Sequence, residues 1–253
     1  PVTNPTLDPQ AIYNYLYFHY VPSPQSAYHG QIQIPHGHCA VFEDNHLSIK
    51  PYWDISYTNE YGPQTTGDLS DKLFDLLRKS INNELEDGEN VGAFLSGGID
   101  SSSVVGMLGE VSRKRPTCFS IGFDQEGYDE MAFARMAARH YNAEHVEYYV
   151  TPQEIVDAIP KISSASSQPF GNSSMAPAYY VAKAAREAGI TRLLGGDGGD
   201  ELFAGNTRYV TQHLFAHYEN LPGPLRKIME PVLDHVPLFS LPLLRKIRSY
   251  SQQ

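Results

Sequence analysis

Cysteine is scarce in this chain, and two cysteines in 253 residues cannot form the disulfide framework of a small secreted protein. Long hydrophobic runs are also missing, because charged residues and prolines interrupt the most apolar stretch, residues 228–247. The chain opens on Pro1 without a basic patch and apolar stretch, so we expect no secretory leader. Lys and Arg number 19 against 29 Asp and Glu, a net charge of −10 that argues against nucleic-acid binding. We therefore expect a cytoplasmic protein that binds neither membranes nor nucleic acid.

The two ends of the chain carry little sustained periodicity. Residues 1–66 are rich in Pro, Tyr, His and Gly, and they predict a short helix at residues 11–20 and a hairpin from residues 39–42 and 46–49. Residues 59–67 are typical of a linker. Residues 207–253 are interrupted by prolines and predict short helices.

Residues 67–206 alternate between apolar, strand-like segments and helical periodicity. Strands are predicted at residues 91–95, 117–123, 145–150 and 191–194. Helices are predicted at residues 68–85, 103–111, 129–141 and 175–188, and one more begins at Thr151-Pro152. This alternation predicts an α/β fold in which helices flank both faces of a parallel β-sheet. Ligands of such sheets bind beyond the carboxyl ends of the strands.

The strongest functional signal is the loop between the first of these strands and its helix, which reads LSGGIDSS at residues 95–102. Two glycines let the backbone approach a ligand, serine hydroxyls add donors, and the helix N-terminus favours an anion, so the loop predicts a phosphate pocket. The carboxylate of Asp100 would repel a phosphate, so we expect a bridging magnesium ion. A plain strand–turn–helix junction is the alternative. The Walker and dinucleotide-binding patterns are both absent from the loop.

A second glycine-rich loop, GGDGGDE at residues 195–201, follows the fourth of these strands. Its four glycines favour close backbone approach to a ligand, and its three acids would repel one another without a cation. In a parallel sheet the two loops can open on the same edge, where Asp100 and Asp200 would hold one magnesium ion. An acidic turn that caps the next helix is the alternative.

Together the two loops resemble the synthetase domain of glutamine-dependent asparagine synthetases, which belong to the PP-loop ATP pyrophosphatases. The segments FSIGF at residues 119–123 and YDE at residues 128–130 are similar to a second part of that domain. The segments YVPSP at 20–24 and IPHGH at 34–38, with Tyr52-Trp53, resemble its connection to a preceding glutaminase domain. The resemblance implies an adenine-nucleotide α-hydrolase-like core at residues 67–206, a linker region at 1–66 and the start of a truncated helical region at 207–253.

The resemblance also implies an enzyme, a ligase that forms a carbon–nitrogen bond. Such enzymes use ATP to adenylate the side-chain carboxylate of aspartate, release pyrophosphate, and let ammonia from glutamine displace AMP. Asp197, where many members carry Glu, is the implied catalytic residue that assists proton removal from ammonia, and Asp100 and Asp200 are the implied magnesium ligands. The implied nucleotide-binding residues are Ser96, Gly97, Gly98, Ser101 and Ser102 for the pyrophosphate end, Asp100 through the metal, and Leu95, Ile121, Gly195 and Gly196 for the adenosine part.

The sequence departs from the family's pattern in three places. It lacks the Cys-initiated glutaminase domain, and it ends before the family's Arg-rich segment and late catalytic Lys, so we expect an incomplete piece of a longer enzyme. Residues 167–172 carry Ser, Gln and Asn where many members have acids. Three interpretations stay open: a synthetase for aspartate, a relative that adenylates another carboxylate as a β-lactam synthetase does, and a nucleotide-binding fragment without activity. Asp197 argues against the β-lactam branch, which has Tyr there, and a homodimer is compatible with all three.

Overall fold

The structure is a computed structural model that describes residues 6–56, 62, 64–85, 90–124, 129–203, 205, 209 and 223. The chain divides into two compact units, residues 1–196 and residues 197–253. Residues 59–61 and 63 of the predicted linker at residues 59–67, and all of residues 207–253 except 209 and 223, lie outside the described residues. In the described part of the chain, no helix is both long and apolar enough to cross a membrane.

The N-terminal region contains the predicted helix and hairpin, which are α1 (Pro9–Phe18), β1 (His38–Glu43) and β2 (His46–Pro51). Asp8 caps α1, since its carboxylate accepts the N–H of Gln10 at 2.8 Å. Asp44 and Asn45 form the two-residue hairpin loop, and both have positive φ. That backbone geometry matches the twist of the strands, and Asp and Asn tolerate it better than most residues.

The described residues of the first unit form nine further elements. They are α2 (Thr66–Asn83), β3 (Val91–Phe94), α3 (Ile99–Ser112), β4 (Thr117–Phe123), α4 (Met131–His140), β5 (Glu144–Val150), α5 (Pro152–Ala165), α6 (Met175–Glu187) and β6 (Arg192–Leu194). The last four strands form one parallel sheet in the order β5-β4-β3-β6. In the second unit the structure describes α7 (Gly199–Phe203).

Successive side chains of each core strand point to opposite faces of this sheet. On one face, buried residues of α2, α3 and α4 pack against Ala93 and Cys118. On the other face, α6 packs against Phe94 and Phe119, and α5 and α6 pack around Val150. The predicted parallel sheet flanked by helices is confirmed.

Candidate active site

The strand order places the loop after β3 beside Gly195 and Gly196, the two residues of the second glycine-rich loop that belong to the first unit. From β3 the chain adds β4 and then β5 on one side of the sheet, and β6 then pairs with the other side of β3. The direction in which strands are added therefore reverses between β3 and β6. Ligands of open α/β sheets bind in the crevice at such a reversal. A Cβ atom added at Gly196 would lie 2.9 Å from Asp100 Cβ and 3.0 Å from Ser101 N. Gly195 and Gly196 therefore open on the same edge as the loop after β3, as the sequence predicts.

Gly97 gives the loop after β3 a shape that no other residue fits. Its φ is +89°, in the left-handed region where side chains are strained. An added Cβ would lie 2.5 Å from both Ala134 N and the Phe133 carbonyl carbon at the start of α4. Both contacts are with backbone, which cannot rotate aside, so the loop backbone lies directly against α4.

The serine hydroxyls hold the loop together from within. The Ser96 N–H donates to Ser101 Oγ at 3.2 Å, and the two hydroxyl oxygens are 3.0 Å apart. The Ser101 hydroxyl also donates to the Gly98 carbonyl at 3.3 Å, and the Gly98 N–H donates to Ser96 Oγ at 3.3 Å. Ser101 is buried, whereas Ser96, Gly98 and Asp100 are exposed. These bonds fix a folded loop whose outer surface stays open to a ligand.

The N-terminus of α3 lies directly behind this loop. Gly98 is the N-cap residue, and no side chain caps the helix within the described residues. The first N–H groups of a helix lack intrahelical partners and carry partial positive charge, so they attract a phosphate. Asp100 lies in the first turn, where it adds a carboxylate beside these donors.

A cavity of about 1470 Å³ opens at the carboxyl ends of β3, β4 and β5. Leu95, Ser96 and Ile121, all expected to contact the nucleotide, are among the residues that line it. Three isoleucines of α5 and several residues of the segment before α6 contribute its far wall. Asp124 and Glu130 are the charged residues among the described lining residues, which include no Lys or Arg. The described lining of the cavity is therefore mostly apolar, and its two charged residues are both acidic.

Two polar residues behind the loop were missed by the sequence reasoning. Ser120 on β4 is buried, and its hydroxyl donates to the Leu95 carbonyl at 2.5 Å. His145 on β5 places Nε2 2.7 Å from Ser120 Oγ and Nδ1 3.5 Å from Glu147 Oε1. Burial lowers the pKa of the His145 imidazole; the Glu147 carboxylate opposes this effect and the Arg135 guanidinium adds to it. The sequence signal was faint: one serine between two apolar residues of a strand, and one histidine at the start of the next.

The segment that carries Gln168 and Asn172 joins the N-terminal region to the sheet. Gln168 accepts the Ala27 N–H at 2.8 Å and donates to Ser26 Oγ at 3.0 Å, while the Gly171 N–H donates to the His19 carbonyl at 2.7 Å. The Asn172 side chain accepts the Ser174 N–H at 2.8 Å and lies at the cavity. The neutral amides at these two positions therefore have structural partners of their own.

Asp197 and Asp200 belong to the second unit. Asp197 is exposed in the turn before α7, and Asp200 lies in the first turn of that helix. Among the residues that the structure describes, no group of three or more His, Cys, Asp or Glu side chains forms a metal site. The expected roles of Asp197 as a catalytic residue, and of Asp100 and Asp200 as magnesium ligands, stay predictions.

Comparisons with known proteins agree with the family that the sequences of the two glycine-rich loops resemble. The family described as "Asparagine synthase" matches residues 72–249, more than half of the chain. The chain is 30% identical over 233 residues to "Asparagine synthetase [glutamine-hydrolyzing] 1" of Bacillus subtilis (strain 168), an alignment that covers 91% of this chain and 36% of that protein. It is 26% identical over 195 residues to "Amidase chry2" of Gibberella zeae, covering 70% of this chain and 29% of that protein. The chain thus spans about a third of the length of these relatives.

Among solved structures, NMN synthetase from Francisella tularensis aligns with a TM-score of 0.36 and 19% identity, over 51% of this chain and 54% of that chain. That likeness is too low to support an argument, whereas the family match covers both the loop after β3 and the cavity. On that match, the chain belongs to the asparagine synthase family.

Proposed function

We propose that this chain carries the nucleotide-binding half of a glutamine-dependent asparagine synthetase. In the intact protein, MgATP adenylates the side-chain carboxylate of aspartate, pyrophosphate leaves, and ammonia from the glutaminase domain displaces AMP to form asparagine. Family membership supports this proposal, as does the likeness to a protein named as a glutamine-hydrolysing asparagine synthetase. Both cysteines are free thiols, which supports a location in the reducing cytoplasm.

The observation that carries the proposal is the conformation of the loop after β3 at the reversal of strand order. Gly97 holds the loop against α4, and Ser96 and Ser101 fix its turn. The N-terminus of α3, which no described side chain caps, lies behind it. Such a loop stabilises the charge that develops on a leaving pyrophosphate without any movement during the reaction. We propose that Asp100 and Asp200 would hold a magnesium ion, which would supply positive charge that neutralises the phosphates. Leu95 and Ile121 would contact the adenosine, since both line the cavity beside the loop.

Asp197 is the proposed catalytic residue of the amidation step. Its carboxylate would accept a proton as ammonia attacks the adenylated carboxylate, which is general base catalysis. Asp197→Asn keeps the side-chain volume and removes the basic group. We expect this variant to keep adenylation and lose amide formation, which separates its role from that of Asp100.

The test is pyrophosphate release from MgATP in the presence of ammonium, with and without aspartate. We expect release that depends on aspartate and is abolished in Asp100→Ala, while Asp75→Ala, on the exposed face of α2, behaves as the unchanged chain. Release of ADP and phosphate in place of AMP and pyrophosphate would contradict the proposed reaction. Binding of ATP without release under any condition would leave the nucleotide-binding fragment as the function of this chain.

A synthetase for another carboxylic acid is the second candidate, and the lining of the cavity favours it. Aspartate keeps an α-carboxylate that needs a cationic partner, yet the described lining residues include no Lys or Arg. Ile155, Ile159 and Ile162 of α5 instead offer apolar surface. Repeating the assay with aspartate, glutamate, an aliphatic acid and an aromatic acid separates the two candidates. Release that depends on an apolar acid alone would replace aspartate as the acceptor.

A further inference from the structure

A series of three hydrogen-bonded polar groups, each buried or half-buried, crosses the sheet to the start of the loop after β3. It leads from His145 on β5 to Ser120 on β4 and ends at the carbonyl of Leu95, the residue that follows β3. Ser120 is 3% exposed and the His145 side chain is 10% exposed. Leu95, Ser96 and Ser120 all line the large cavity, so this series of hydrogen bonds ends at the site where the proposed function places ATP.

The peptide between Leu95 and Ser96 is held from both sides. Its carbonyl accepts the Ser120 hydroxyl at 2.5 Å, and its N–H donates to Ser101 Oγ at 3.2 Å. Because the peptide unit is planar, fixing the direction of the carbonyl also fixes the direction of the N–H. The Leu95 N–H, on the preceding peptide, donates to the Phe119 carbonyl at 2.9 Å and continues the strand ladder up to this point.

The direction of each hydrogen bond follows from the chemistry of the groups. The Leu95 carbonyl has no proton to give, so the single hydroxyl proton of Ser120 points to it. Ser120 Oγ must then accept from His145, which places a proton on Nε2 whether the ring is neutral or charged. Nδ1 faces Glu147, whose two carboxylate oxygens are held by Arg135 at 2.8 and 2.5 Å. Arg135 thus holds the Glu147 carboxylate beside the edge of the ring that lies opposite Ser120.

We propose that Ser120 and His145 are positioning residues, which hold the Leu95–Ser96 peptide so that the loop after β3 meets the phosphates of ATP in a fixed orientation. This inference rests on the proposed function for its ligand. A hydroxyl in the middle of a buried strand contributes less to packing than an apolar side chain, so its value lies in the carbonyl that it orients. His145 in turn removes the rotational freedom of that hydroxyl.

Four variants separate positioning from general stability. Ser120→Ala removes the donor to the Leu95 carbonyl. Ser112→Ala is its matched control, since the Ser112 hydroxyl likewise donates to a backbone carbonyl, that of Leu108 in α3, at 2.6 Å. Ser112 ends α3 far along the helix from the loop. His145→Phe removes the Nε2 donor, whereas His145→Gln keeps an amide N–H at nearly the same reach and serves as the rescue variant.

Two measurements are made on the 253-residue chain. Hydrogen exchange of the ligand-free protein follows the amide of Ser96, and equilibrium dialysis follows the binding of MgATP. We expect Ser120→Ala and His145→Phe to speed exchange at Ser96 by about tenfold and to weaken MgATP binding by about five- to tenfold, the scale of one hydrogen bond. Ser112→Ala and His145→Gln should stay within about twofold of the unchanged chain.

Equal exchange at Ser96 in Ser120→Ala and Ser112→Ala would overturn the inference, as would a His145→Gln variant that behaves like His145→Phe. Failure of the unchanged chain to bind MgATP would refute the proposed function instead. The exchange measurement would still decide whether Ser120 and His145 fix the peptide, because it needs no ligand.

Discussion

Substituting Gly97 by alanine tests whether the loop after β3 is held in the shape that the structure shows. The added Cβ would lie 2.5 Å from Ala134 N and 2.6 Å from Phe133 Cβ, well inside van der Waals contact, at a φ of +89°. Left-handed backbone costs a non-glycine residue about 1–2 kcal/mol. Forcing extra volume into a packed site costs about 1–3 kcal/mol more. We therefore expect Gly97→Ala to lower the free energy of unfolding by about 2–5 kcal/mol.

Gly189→Ala is the matched control for this substitution. Gly189 also has a positive φ, +76°, but nothing lies within 4 Å of its added Cβ, so the control contains the backbone strain without the overlap. Urea denaturation of both variants gives the difference directly, and Gly97→Ala should be less stable than Gly189→Ala by at least about 1 kcal/mol. Gly97→Ala should also lose MgATP binding, while Gly189→Ala should keep it. Equal stability of the two variants would refute the close contact between the loop and α4.

Three further predictions concern groups outside the loop. Burial raises the pKa of the Cys118 thiol to about 12, so a thiol reagent should label exposed Cys39 quickly and Cys118 only after unfolding; fast labelling of both in the native protein would contradict this. The pKa of His145 is lowered in the folded state, so the unfolded chain binds its proton more readily and stability should fall as the pH drops below about 6.5. His145→Gln should flatten that part of the pH profile of urea unfolding, and an unchanged profile would count against the lowered pKa. Thr151 and Glu154 form a capping box at the start of α5, so Thr151→Ala should cost about 1 kcal/mol in thermal unfolding, while Thr151→Ser should recover most of it.

Local chemistry made most of the core elements predictable. Strand β4 has the predicted bounds, because its apolar and β-branched residues follow directly on Pro116. Helix α5 begins at Pro152 after its Thr151 cap, as the pair of residues indicates. Helix α3 begins at Ile99, four residues before the apolar periodicity does, because its first turn is the polar end of the loop. Helix α4 begins at Met131, whose N–H donates to the Asp129 carboxylate just before the helix.

The features that sequence reasoning missed all join residues far apart in the chain. Ser120 meets Leu95 and His145 across two neighbouring strand pairs, at separations of 25 residues. Gln168 meets Ala27 across 141 residues, a contact that no local motif indicates. The close approach of Gly196 to Asp100 was foreseeable only because parallel strands end on one edge. Motifs predicted the loops, while the packing around the loops required the structure.

Competition between ATP and inorganic pyrophosphate tests most directly that the loop after β3 holds the phosphates of a nucleotide. Equilibrium dialysis of labelled ATP against the chain, with and without magnesium, measures this binding. We expect saturable binding that requires magnesium, is displaced by pyrophosphate, and is lost in Asp100→Ala but kept in Asp75→Ala. ATP binding that pyrophosphate cannot displace, or that Asp100→Ala leaves intact, would contradict the assignment of this loop.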